Sequence, residues 1–262
     1  MAQDQTVAAA VVDALKEMGV RYVFGVPSGG WVDYMEALRK ADGIEFVLTT
    51  HEGPAGMMAD VCGRLTGKPG ACFGTFGPGA TNLATGVGEA LLDRSPMIAL
   101  TDEMPVAMRG RTTQMGIDHQ ALFRPLTKKT TRLTAESVKS ILYDAGRVAL
   151  EGRPGPIHIG LPVGMSAEKA SNENVAFTPP PKPKPADPAL LAQAATLFSH
   201  AKKPVLAVGL GAVHAGVQAH IKKLAETHKI PVVLKAMATK IRDTPLEGRP
   251  LRHHGGRHRQ HR

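Results

Sequence analysis

Between Phe46 and Asn82 the chain twice runs from a short apolar segment through a turn into a helical stretch, and no other feature restricts the fold as much. Phe46–Leu48 reads as a buried strand that ends at Thr49-Thr50-His51-Glu52. Pro54 to Thr66 follows as a helix, with Ala55, Met58, Ala59 and Cys62 at the i, i+3, i+4, i+7 spacing of a helix lying on a sheet. Gly67-Lys68-Pro69-Gly70 breaks it. A second strand, Ala71–Thr75, runs into Gly77-Pro78-Gly79-Ala80-Thr81-Asn82. One acid, Glu52, therefore stands where a strand ends and a helix is about to begin, and a glycine-rich turn stands at the end of the next strand. Ligands of open α/β sheets bind along that edge. Taken singly, each feature has a plainer meaning. An acid at a helix start serves the dipole and the free N–H groups, and a glycine-rich turn is common punctuation.

The same alternation continues along the chain. Thr6–Met18 is an amphipathic helix with Val7, Ala10, Val11, Ala14, Leu15 and Met18 on one side, stopped by Gly19. Tyr22–Val26 is a strand, and Pro27-Ser28-Gly29-Gly30 turns it into a helix over Trp31–Lys40. Further helices are expected over Ala80–Leu92 and Ser137–Glu151, and further strands over Pro96–Thr101 and Pro156–Leu161. Strands alternating with helices predict an α/β fold with a doubly wound parallel sheet. Glu103–Gln120 reads as a polar loop whose length suggests function. Residues 172–187, rich in proline, form an extended linker between a first domain, 1–171, and an incomplete second one, 188–248. In the second domain a helix over Pro188–His200 precedes strand Pro204–Val208, helix Gly216–His228 and strand Ile230–Leu234. That is one βαβ unit, the start of a Rossmann-like domain; Gly209-Leu210-Gly211 lacks a third glycine in register and reads as a structural turn.

A hydrophobic content of 43% supports a real core, and with aromatics at only 4% that core must be aliphatic and alanine-rich. No apolar run approaches the ~20 residues of a membrane span, and the first residues lack the features of a signal peptide. A cytoplasmic protein without membrane contact is expected. Cys62 and Cys72 fit buried small hydrophobes. The net charge of +9 is concentrated at the end: residues 249–262 hold five arginines, four histidines and no acid, and without them the balance falls to +4. Nucleic acid is not an expected partner, and this tail is expected to be unstructured.

Several segments, in order, carry a resemblance: Val23-Phe24-Gly25-Val26-Pro27, His51-Glu52-Gly53-Pro54-Ala55, Gly77 to Asn82, Gln114, Phe123-Arg124-Pro125-Leu126-Thr127-Lys128, and Gly152-Arg153-Pro154-Gly155-Pro156. Together they resemble the N-terminal, pyrimidine-binding domain of thiamine-diphosphate enzymes of the acetolactate synthase family. The resemblance implies a transferase or lyase acting on 2-oxo acids such as pyruvate. It implies that Glu52 bonds the cofactor's aminopyrimidine and favours the tautomer that removes the thiazolium C2 proton. It assigns Pro27, Gly29, Pro78 and Asn82 to the pyrimidine end, Gly29 and Gln114 to the reacting centre, and Phe123 to the substrate. His51 stays open between a local hydrogen bond and catalysis. Ser28 departs from the family's Pro-Gly-Gly.

The family holds diphosphate and Mg2+ through a separate C-terminal domain marked by Gly-Asp-Gly, an oxygen-rich site of the kind Mg2+ needs. No Gly-Asp-Gly occurs in these residues. No metal ligand is therefore expected here. A truncated chain, inactive alone, is expected, with a frameshifted reading beginning between Lys235 and Leu251. Half a central domain leaves FAD binding open. Family sites form between two chains. The implied partners are a homodimer or tetramer, or a separate chain bringing the diphosphate domain. The alternative is a non-catalytic pyrimidine-domain protein.

Overall fold

Short apolar strands that are buried on both sides need helices on both sides, because neither face can be left to water. The computed structural model, which describes residues 5–105, 108, 111, 115–181 and 184–234, meets that need in its first unit, Met1–Pro183. Six parallel strands lie in the order β2-β1-β3-β4-β6-β5. They are β1 (Tyr22–Gly25), β2 (Glu45–Leu48), β3 (Gly70–Gly74), β4 (Met97–Glu103), β5 (Lys129–Arg132) and β6 (Pro156–Pro162). Register sends alternate side chains to opposite faces. Phe73, Ile98, Leu100, Ile157 and Ile159 meet helices α1 (Val7–Glu17), α2 (Val32–Lys40) and α6 (Val138–Leu150) on one face. Cys72, Met97 and Ala99 meet α3 (Glu52–Thr66), α4 (Pro78–Asp93) and α5 (His119–Phe123) on the other. This is the expected doubly wound sheet.

Local chemistry fixes the ends of these elements. The Thr6 hydroxyl accepts the Ala9 N–H to cap α1, a device commonly worth about 1 kcal/mol. The start of α1 is also tied to the chain after β6 by Val7 N–H to Glu168 C=O at 2.9 Å. On the α2 face Trp31 is stacked between Phe73 and Tyr34, at ring-centroid distances of 3.7 and 4.4 Å. On the other face α3 and α4 touch through glycine. A Cβ added to Gly86 would lie 2.6 Å from Gly56 Cα and 2.7 Å from Met57 N, so only glycine permits this approach. Arg64 holds the far end of the pair, 2.6 Å from Asp93 and 3.3 Å from Asp60.

The structure departs from the sequence expectations in four places. The strand at Phe46–Leu48 is an edge strand and not buried: β2 has one neighbour and Leu48 is 69% exposed. Helix α3 begins at Glu52 itself, before Pro54. Its inward side is Ala55, Gly56, Ala59, Asp60 and Gly63, while Met58 faces out, because small residues are what let α4 approach. Finally, α5 and the polar edge strand β5 occupy a stretch in which neither was expected.

The second unit, Lys184–Arg262, is described to residue 234. Helix α7 (Pro188–Ser199) precedes β7 (Leu206–Val208), α8 (Leu210–His214), α9 (Gln218–His228) and β8 (Val232–Leu234). The two strands pair in parallel, with Leu206 opposite Val232. The Gly209-Leu210-Gly211 turn opens the short α8. The Arg/His-rich tail, and the span where a frameshift is expected, lie outside the described residues.

Candidate functional site

The connection from β1 leads outward to β2, and the connection from β2 returns to β3 on the other side of β1. The carboxyl ends of β1 and β3 therefore flank a topological switch point, where α/β sheets open a crevice. Gly25 is level with both Leu48 and Phe73, so the turns after β1, β2 and β3 emerge side by side.

Glu52 is the first residue of α3 and is 7% exposed. His51, in extended conformation, caps the helix: its Nδ1 accepts the Gly53 N–H at 3.0 Å. The capping work thus falls to His51, and the Glu52 carboxylate is released to face α4. Its Oε2 accepts from Asn82 Nδ2 at 3.0 Å. No hydrogen bond is made to Oε1 by the described residues, and Gly79 lies beside it: a Cβ there would stand 3.2 Å from Oε1 and 2.7 Å from Thr75 Cγ2. Gly77 precedes α4 with φ +52°, a conformation that favours glycine, and Pro78 takes the first helical position, where its missing N–H costs nothing. Across the crevice Gly29 sits in a single 3-10 turn, and a Cβ on it would meet nothing within 4 Å. Pro27, in the turn after β1, is exposed.

A second acid closes the crevice from β4. Asp102 is 1% exposed. Its Oδ2 accepts from the Ser28 hydroxyl at 2.7 Å and the Thr75 hydroxyl at 3.3 Å. Its Oδ1 is buried without a partner. Burial pushes the carboxyl up to about 6, against the opposing pull of the two hydroxyls. Ser28 and Thr75 thus bridge the turns after β1 and β3 to one carboxyl that holds its proton unusually well. Tyr34 is pushed upward too, chiefly by burial and then by the charge of Asp102.

Behind the Gly77 turn runs a buried polar chain. The Gly77 N–H donates to His119 Nε2 at 3.1 Å, and His119 Nδ1 lies 2.9 Å from the Thr101 hydroxyl. That hydroxyl is 2.8 Å from His158 Nε2, and His158 Nδ1 is 2.7 Å from the Thr130 hydroxyl. Thr130 donates to Gln120 Oε1 at 2.7 Å, and Gln120 Nε2 donates to Glu103 Oε1 at 2.5 Å and to the Thr131 carbonyl at 2.9 Å. Arg132 Nε completes the chain, 2.5 Å from Glu103 Oε2. Burial is the main cause that holds His158 well below the ordinary imidazole range, with His119 and Arg132 adding to it. Ligating atoms of Glu103, His119 and His158 lie within 4.8 Å of one another, as a metal would need. The Thr101 hydroxyl already bonds both imidazoles, and Arg132 already neutralises Glu103. A cation held by the imidazole nitrogens that face Thr101 would displace that hydroxyl from both rings.

Of the residues singled out in the sequence, the structure brings together Glu52, Asn82 and Pro78, with Gly29 and Pro27 on the opposite lip. Phe123, expected near the substrate, is fully buried and stacked on the His158 ring at a centroid distance of 4.2 Å. Gln114 lies outside the described residues. The reading of the sequence missed Asp102 and the whole His119–Glu103 chain. One signal was available. Asp102-Glu103 is an unusual pair of acids at the end of a strand buried along its whole length.

The model of the thiamine pyrophosphate enzyme N-terminal TPP-binding domain matches residues 5–122, and that of the central domain of the same enzymes matches residues 191–260. The chain is 36% identical over 237 residues to a probable acetolactate synthase large subunit of Methanocaldococcus jannaschii, covering 88% of this chain and 40% of the relative. It is 33% identical over 233 residues to the acetolactate synthase isozyme 1 large subunit of Escherichia coli, covering 87% and 41%. It is 34% identical over 236 residues to an acetolactate synthase of Bacillus subtilis, covering 89% and 41%. The chain thus spans about two fifths of the length of these relatives.

Proposed function

Since this chain belongs to the thiamine pyrophosphate enzymes and carries their N-terminal and central domains, we propose that its first unit holds the pyrimidine end of thiamine diphosphate against Glu52. The whole enzyme would be an acetolactate-synthase-like carboligase or decarboxylase acting on 2-oxo acids such as pyruvate. When bound, the cofactor supplies a nucleophilic carbon that adds to the 2-oxo group. The residues fit its pyrimidine. Glu52, 7% exposed, keeps one oxygen held by Asn82 and the other, to which the described residues make no hydrogen bond, beside a glycine. That single arrangement carries the proposal. A carboxylate so placed accepts a ring N–H at Oε1 and holds the proton there, and a charge-assisted bond in low dielectric is among the stronger kind. Gly29 and Pro27 would line the opposite wall, Pro78 the turn, and Gln114 the reacting centre.

The diphosphate and Mg2+ would be held by residues outside these 262, which contain no Gly-Asp-Gly. The outer side of α3 supports a partner chain carrying that domain. Met57, Met58, Val61 and Leu65 follow one another along it, between 40 and 63% exposed, more apolar surface than an isolated helix side usually leaves to water.

Calorimetric titration with thiamine diphosphate and Mg2+ tests the proposal, on the chain alone and mixed with a chain bearing the family's diphosphate domain. Glu52→Gln is expected to weaken binding tenfold or more, the loss of a bond to a charged group of about 1.5–3 kcal/mol. Equal affinity in Glu52→Gln would remove Glu52 from the site.

A further inference from the structure

We propose that His119 is a positioning residue for the Gly77 turn, the last link of a one-way hydrogen-bond chain that starts at Glu103 and locks both imidazoles as neutral Nδ1–H tautomers. Its bearing on function rests on the reading of the Glu52–Asn82 crevice as the pyrimidine site, since the Gly77 turn opens the helix that carries Pro78, Gly79 and Asn82.

The polarity of every link follows from the two ends. A backbone N–H can only donate, so His119 Nε2 must accept from Gly77. The ring proton of His119 is then on Nδ1 and goes to the Thr101 oxygen. Thr101 has one proton of its own, which goes to His158 Nε2. The proton of His158 is therefore on Nδ1 as well and goes to Thr130. Thr130 passes its proton to the Gln120 carbonyl. The Gln120 amide faces two acceptors, Glu103 and the Thr131 carbonyl, so it can only donate there. The far end is a carboxylate, which can only accept. Seven groups from β3's turn, β4, α5, β5 and β6 thus admit one consistent arrangement of protons. A hydrogen bond chosen by one neighbour fixes the tautomer seen by the next.

The fold makes room for this chain. Gly160 leaves the space that the Glu103 side chain fills: a Cβ there would stand 2.3 Å from the carboxyl carbon. His158 lies between Ile157 and Ile159 but faces the opposite side of the sheet, stacked on Phe123. The outcome is delivered at Gly77, whose left-handed conformation has no side-chain cap of its own. There the imidazole of His119 takes the place of a capping acceptor and holds the turn from behind.

Imidazole 15N spectra of the full chain test the proposal without any cofactor. The two signals are identified as those missing from His119→Gln and His158→Gln. Both should show Nδ1–H with an unprotonated Nε2 at neutral pH. Thr130→Val, which removes the acceptor of His158 and lies three hydrogen bonds from His119, should shift the His119 signal as well. A purely packing role for these rings would leave it unmoved. At the output end, exchange of the Gly77 N–H should accelerate at least about tenfold in His119→Ala, the loss of one buried hydrogen bond. His119→Gln, whose carboxamide oxygen can stand near Nε2, should recover most of the protection. An Nε2–H tautomer at either ring, a His119 signal indifferent to Thr130→Val, or unchanged Gly77 exchange would overturn the proposal. So would Zn2+ held by Glu103, His119 and His158 in the purified protein. If His119→Ala does not fold, the wild-type spectra and Thr130→Val still decide. Failure of the chain to bind thiamine diphosphate would count against the proposed function and leave these measurements intact.

Discussion

Replacing Asp102 by Asn should stabilise the first unit at neutral pH and leave it little changed in acid. The carboxyl is 1% exposed, with one oxygen shared by the Ser28 and Thr75 hydroxyls and the other without a partner. Burial, the largest influence, moves it from its ordinary 3.8 to about 6. The folded chain therefore keeps this proton up to about pH 6, whereas the unfolded chain releases it near 3.8. Between those values the folded state binds more protons. Its stability contribution declines as pH rises through that window and stays level above it. The total decline is about 3 kcal/mol. Asn has nearly the same shape and does not titrate, so this decline disappears. Its amide must still fit beside two hydroxyls, at a cost of about 1 kcal/mol. The variant should be slightly the weaker near pH 4 and the stronger by roughly 2 kcal/mol at pH 7. The only tryptophan, Trp31, is buried in this unit against Phe73 and reports its unfolding alone. Urea melts followed by its fluorescence, for both proteins between about pH 4 and 7.5, give the difference directly. Other carboxyls cancel in it. A difference that stays flat across the range, or falls as pH rises, would refute the reasoning.

Glycines separate the packing of the site from its openness. Gly86→Ala must push α3 and α4 apart at backbone contact and should cost about 1–3 kcal/mol in urea melts, with weaker thiamine diphosphate binding. Gly29→Ala meets nothing within 4 Å, so its melting should match wild type while cofactor affinity falls; unchanged affinity would place the crevice elsewhere. The two thiols should react very differently with a maleimide near pH 8. Cys72 is fully buried and its thiol is pushed far up by burial. It should label only after unfolding, whereas Cys62, half-buried and raised less, labels slowly in the native state.

The doubly wound sheet could be read from the chain because most of its strands are short apolar runs that alternate with helical stretches. Glu52 and the Gly77–Asn82 turn were legible as motifs. Their meeting was not, since it depends on α3 and α4 touching through Gly56 and Gly86, and a hydrophobic stripe is blind to glycine. The same blindness turned Met58 inward on paper and outward in the structure. Strand β5, Lys-Thr-Thr-Arg, carries no apolar signal because it lies at an edge and serves the polar chain with Thr130, Thr131 and Arg132. Phe123 belongs to a matching motif, yet here its ring is spent on covering His158. The buried chain itself draws its groups from five separated segments, one to three residues at a time. Its one signal in the chain was the Asp102-Glu103 pair at the end of β4.

Gly56 and Gly86 each lie one helical turn beyond Glu52 and Asn82. The spacing between acid and amide is thus gauged by main chain resting on main chain, one turn beneath them. Side-chain rotamers, which drift with temperature and change with substitution, have little part in it. This shifts the burden of inheritance along α3. Two positions must stay without a side chain, while the outward residues Met57, Val61 and Leu65 are released from the site's geometry. They are free to vary with whatever surface comes to rest on them, so the crevice can keep its dimensions while its neighbour changes.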